Sequence, residues 1–140
     1  MLDACRRDLF VMYTQALGAV HGRHVVFYHL RTRLPTQPVY LAAVGKAAAA
    51  MAAGAFAAWG DAIHSAVVIT RRGHVPDVTQ REPRTSYLEA AHPIPDATSL
   101  VAGKALVNFI SNGCAHRCRL LHGRTRSALR LWAPSSPTRV

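Results

Sequence analysis

The spacing of apolar residues changes character along the chain, and each change predicts an element. Between Leu2 and Val20, the positions Leu2, Leu9, Tyr13, Ala16, Leu17 and Val20 recur mostly three and four apart. That is the period of a surface helix with one buried stripe, placed at about 3–19. Gly22 interrupts it, and His24–Leu30 suits a further short helix. Leu34, Pro35 and Pro38 then fix an extended connector. Val39–Val44 is a short apolar run between Pro38 and Gly45, which reads as a buried strand. Lys46–Trp59 is dominated by Ala and Met, the composition of a helix packed closely on a sheet. His64–Thr70 is rich in β-branched residues and supplies a second strand. Strand, helix and strand in this order predict a parallel sheet with crossover helices. Gly73, Pro76 and Pro83 make Arg71–Tyr87 a long surface loop. A short strand at Leu88–Ala90 and a helix at about 97–110, entered through His92-Pro93-Ile94-Pro95, complete the periodic part.

After Ile110 the pattern stops. Arg117, Arg119, Arg124, Arg126 and Arg130 follow with no acidic residue among them. Burying unpaired charge is costly, so no core strand is expected there. The closing PSSPTRV favours irregular chain. The expectation is an α/β half-domain over residues 1–110, then a basic segment over 111–140 that is poorly ordered from about 115.

Composition sharpens this division. The 140 residues suffice for one domain with a real core, and half of them are hydrophobic. Lys and Arg number 17 against 7 Asp and Glu. Residues 97–140 hold 7 of those basic residues and none of the acidic ones. Aromatic interleaving, which a stacking surface for nucleic acid requires, is nearly absent from this basic stretch, Trp132 being the only Phe, Tyr or Trp after Phe109. Nucleic acid is therefore not an expected partner. Three cysteines exclude a disulfide scaffold and suit a reducing compartment. No signal-peptide pattern opens the chain, and Gly45, Lys46 and Gly54 interrupt its most apolar stretch. A cytoplasmic protein without a membrane segment is expected.

Candidate chemistry centres on Gly45-Lys46-Ala47, at a strand-to-helix junction. Gly45 permits close backbone approach, first-turn amides of the helix point outward, and Lys46 adds a mobile positive charge suited to carboxylate or phosphate. This is neither a P-loop nor a GxGxxG fingerprint. Thr70 and His74, around the turn after the second strand, are candidates for the same crevice; Arg71 and Arg72 read as ordinary surface charge. His92 could face that crevice too, while Asp96 is placed to cap the following helix. Cys114, Cys118 and His122 lie four apart, but this is not a standard zinc spacing, and no metal site is expected.

VYLAAVGKAAAAMAAGAFAAWG, then AVVITRRGH, then EAAHPIPDATSLVAGKAL closely resemble the N-terminal part of the bacterial glycerate kinase family, over roughly residues 2–110. The resemblance implies a Rossmann-like three-layer domain and phosphorylation of D-glycerate by ATP, usually with Mg²⁺. Some members of that family are described as hydroxypyruvate reductases of tartrate degradation, and NADH- or NADPH-dependent reduction is the alternative activity. Lys46 matches the family's functional lysine, His92 and Asp96 its HPxPD motif, and Thr70, Gly73 and His74 its turn after the second strand. Where that family carries a glycine-rich SGGGSALL loop, this chain reads HGRTRSALRL from His122 to Leu131. Arg124, Thr125 and Arg126 would obstruct a phosphate-cradling turn. The ending reads as that of a truncated, frameshifted or degenerate frame. Little catalytic activity, and no cofactor, is expected of the 140 residues alone.

Overall fold

The computed structural model describes residues 2–113 and 117–122, with Leu2, Gly113 and the last six as backbone only. Two helices, α1 (Leu2–Ala19) and α2 (Gly22–Leu30), precede strand β1 (Val39–Val44). Helix α3 (Ala48–Trp59), strands β2 (Ile63–Arg71) and β3 (Thr85–Ala90), helix α4 (Ala97–Gly113) and strand β4 (Arg117–His122) follow. All strand pairings are parallel, in the order β3-β2-β1-β4.

Both faces of the sheet are covered, which is why the inner strands read as continuous apolar runs. Leu41, Ala43, Ala66 and Val68 pack against α3, with Val26 and Leu30 of α2 in the same core. Ala42, Val67 and Ile69 form the opposite face, against Ala102, Leu106 and Phe109 of α4. The result is the expected three-layer α/β arrangement. Small residues set the distance between α2 and α3. A Cβ on Gly54 would stand 2.3 Å from the Arg23 carbonyl oxygen, so the two backbones touch there. At the far end, Trp59 Nε1 donates to the carbonyls of Leu30 at 3.2 Å and Arg33 at 3.0 Å, fastening the end of α3 to that of α2.

Four expectations need correction. The apolar stripe of α1 is not buried: Leu9, Tyr13, Leu17 and Val20 are all exposed. Periodicity identifies residues that share a face but not what covers it. The helix expected from residue 46 begins at Ala48, leaving Lys46 in the preceding turn. The segment read as a loop up to Tyr87 contains the start of β3, whose half-exposed edge position admits Ser86 and Glu89 among its apolar residues. Finally, a strand does follow Ile110. All six residues of β4 pair with β1. Pairing draws only on backbone groups, and an edge strand tolerates the arginines that would be prohibitive in a central one. Residue 110, where the composition divides the chain, lies inside α4. Most of the basic tail lies outside the described residues, as do Cys114, His116 and the HGRTRSALRL stretch beyond His122.

Candidate functional site

Because every strand runs the same way, the carboxyl ends of all four share one edge of the sheet. β1 ends at Val44, opposite Ile69 of β2 on one side and His122 of β4 on the other. From β1 the chain passes through α3 to β2 on one side; from β3 it returns through α4 to β4 on the other. The carboxyl end of β1 is therefore a topological switch point, where open α/β sheets form their ligand crevices.

Gly45 is the first residue beyond that end. Its N–H donates to the Ile69 carbonyl at 2.9 Å and its own carbonyl accepts from Ala48 N–H at 3.1 Å. Its φ of 122° lies where side chains are rarely accommodated, so the turn requires glycine. Lys46 is exposed in this turn, with no ion-pair partner among the described residues. No side chain caps α3. The corner thus combines a mobile ammonium group with the positive end of a helix.

Thr70 lies beside it, one residue beyond Ile69. Strand alternation puts it on the α3 side with Ala66 and Val68, and it is only 2% exposed. Its Oγ1 has no hydrogen-bond partner among the described residues. A buried hydroxyl left unmatched costs about 1–3 kcal/mol.

The turn after β2 is organised by charge. Arg71 Nε donates to His74 Nε2, which makes that ring nitrogen an acceptor and puts the proton of a neutral imidazole on Nδ1. Arg72 reaches Asp96 at 2.6 Å. The Gly73 N–H donates to Glu89 Oε1 at 2.9 Å. Asp96 also caps α4: its Oδ1 accepts from Thr98 N–H at 2.8 Å and from the Thr98 hydroxyl, while its own N–H donates to Ser99 Oγ at 3.3 Å. The Thr98 hydroxyl, chiefly, with the Thr98 amide and Arg72 adding to it, holds the Asp96 carboxyl below the usual carboxylate range.

Of the residues singled out from sequence, Gly45, Lys46 and Thr70 meet at the end of β1 and β2, and His74 lies in the adjoining turn. His92 is exposed beyond β3, and no hydrogen bond joins it to Lys46, Thr70 or His74. Arg72 and Glu89 were not selected, yet Arg72 ties the turn that carries His74 to Asp96, and Glu89 ties the same turn to β3. A partner 24 residues away leaves no local signature. Among the described residues no three His, Cys, Asp or Glu side chains could converge on a metal ion. Asp96 and Glu89 are engaged by Arg72, Thr98 and Gly73, so these donors do not compose a Mg²⁺ site. A groove of about 440 Å³ along α4, lined by Leu100, Lys104 and Val107, belongs to the helix on the other face of the sheet from α3.

Residues 8–122 match the family described as a domain of unknown function, DUF4147. The chain belongs to this family. The match extends through β4 and ends where that strand ends. A relative from Agrobacterium vitis, provisionally named a hydroxypyruvate reductase, is 41% identical over 103 residues, covering 74% of this chain and 22% of the relative. A second protein of that name and organism is 42% identical over 67 residues, covering 47% and 16%. The crystal structure of a glycerate kinase from Thermotoga maritima aligns with a TM-score of 0.69 and 26% identity, over 77% of this chain and 25% of that one. The DUF4147 domain seen here is accordingly the N-terminal part of a glycerate kinase-family fold, and the chain spans at most a quarter of the length of these relatives. No helix among the described residues is long and apolar enough to cross a membrane.

Proposed function

We propose that these residues form one wall of a site for phosphoryl transfer from ATP to D-glycerate, with Lys46 as the residue that meets the anionic group. The observation that carries this reading is the position of Lys46 in the turn after β1, at the switch point of the sheet. There its ammonium group and the N-terminal end of α3 act together on a carboxylate or phosphoryl oxygen, and the buried Thr70 hydroxyl supplies a hydrogen bond. Gly45 keeps the floor of the corner free of side chain. His74 adds an imidazole whose orientation is held by Arg71. In phosphoryl transfer most of the catalysis is positioning and neutralisation of oxygen charge, which a lysine at this point serves. Mg²⁺ would arrive with the nucleotide, since the described donors do not fit a resident ion.

Hydroxypyruvate reduction is the second reading, suggested by the names of the Agrobacterium relatives. Kinase chemistry is favoured because the turn after β1 holds one glycine and a lysine where a dinucleotide fold carries GxGxxG. The register Val44 to His122 brings the chain out of β4 opposite this same turn. In the resembled family a glycine-rich loop follows, whereas this sequence continues Gly123-Arg124-Thr125-Arg126. The chain alone is therefore proposed to turn over glycerate little or not at all.

A chimera tests the assignment. Residues 8–122 replace the corresponding segment of the 41%-identical Agrobacterium relative, and both activities are assayed. Glycerate-dependent ADP release, lost in Lys46→Ala, supports the kinase. Hydroxypyruvate-dependent oxidation of NADH or NADPH, without ADP release, overturns it.

A further inference from the structure

Helix α1 holds the largest unexplained surface in the described fold. Leu9, Phe10, Met12 and Tyr13 are each between 61% and 67% exposed, Leu17 is 50% and Val20 71%. Five large apolar side chains on α1, with Val20 just beyond its end, offer several hundred Å², the scale of the roughly 800 Å² that each partner gives to a standard interface. Patches of this extent on soluble domains mark binding surfaces. We infer that α1 is a self-association surface, and that two copies of this chain pair through it as antiparallel helices.

The spacing selects this occupant. Arg6, Leu9, Tyr13, Ala16 and Val20 follow each other at intervals of three and four, the seam of a two-helix coiled coil, with Phe10, Met12 and Leu17 flanking it. Parallel pairing would set Arg6 against Arg6 of the second copy. Antiparallel pairing sets Arg6 against Ala16 and Leu9 against Tyr13, each time a large group against a smaller one, with the two arginines apart. Residues 9–20 contain no charged side chain, so nothing along this stretch opposes the approach of an identical helix. The same fact argues against a lipid surface, because interfacial helices carry Lys and Arg along their polar face. Over residues 9–20 the opposite side presents Val11, Thr14, Gln15 and Gly18, and only Arg7 and Asp8 precede them there. The inference stands apart from the proposed activity, since the Lys46 corner lies at the end of β1 and takes no residue from α1.

Sedimentation velocity of the 140-residue chain, from low to high micromolar concentration, tests it. The expected result is a concentration-dependent species of twice the chain mass. Tyr13→Glu, within the seam, should raise the dissociation constant at least about tenfold. Gln15→Glu adds the same charge outside the seam and should leave it unchanged. Both positions are exposed, and circular dichroism verifies that each variant keeps its helix content. A chain monomeric throughout the range overturns the inference, as does a dimer that responds equally to both substitutions. Co-sedimentation of a monomeric chain with phosphatidylcholine–phosphatidylglycerol vesicles would also overturn it, in favour of a lipid surface.

Discussion

Arg72 and Asp96, 2.6 Å apart, tie the turn after β2 to the N-terminus of α4. The same carboxylate caps that helix through Thr98, so one side chain joins a loop to a helix end. Its ionised form is favoured mainly by the Thr98 hydroxyl. The link is complete above the ordinary aspartate pKa of about 3.9 and is lost as pH falls through the lowered value of the folded chain. Titration of the Asp96 carboxyl by NMR should show Thr98→Val moving its midpoint back toward the ordinary value more than Arg72→Gln does. The reverse order would make the arginine the dominant partner.

The contact between Gly54 and Arg23 predicts a contrast between two glycine-to-alanine changes in helices. At Gly54 the new Cβ meets a backbone oxygen that cannot swing aside. Gly54→Ala should therefore destabilise the fold by about 1–3 kcal/mol. Gly103 lies in α4 with open space around it. Gly103→Ala should stabilise by up to about 1 kcal/mol, from the lower flexibility of the unfolded chain. Urea unfolding of the two variants measures both signs.

Trp59 gives a third prediction. Its indole N–H serves the carbonyls of Leu30 and Arg33 where α2 ends. Trp59→Phe retains most of the ring volume but removes the indole donor, leaving Leu30 its bond from the Arg33 N–H, and should cost about 1–3 kcal/mol. Hydrogen exchange should show the loss first in the last turn of α2. Uniform loss across the sheet would assign the tryptophan a packing role alone.

The parts of this fold legible in the sequence are those where burial is complete. β1 and β2 are covered on both faces, so their residues had to be apolar regardless of neighbours, and the Gly45-Lys46 turn stands out between two such segments. β3 and β4 lie at the sheet edges, where pairing through backbone groups alone admits Glu89, Arg117 and Arg119. Composition is least informative at such positions. The corner at Lys46 was legible because strand polarity places it. The Arg72–Asp96 link was not, because nothing local marks a pair brought together by two separate turns.

In the proposed site, Lys46 meets a small anion at the end of β1. Amide chemical-shift mapping of the ¹⁵N-labelled chain during titration with D-glycerate tests this most directly, because it requires binding but not turnover. Saturable shifts should concentrate at residues 45–49, Thr70 and 73–74, and should vanish in Lys46→Ala while the rest of the spectrum is preserved. Shifts that persist undiminished in Lys46→Ala, or that centre on the α4 groove instead, would contradict it.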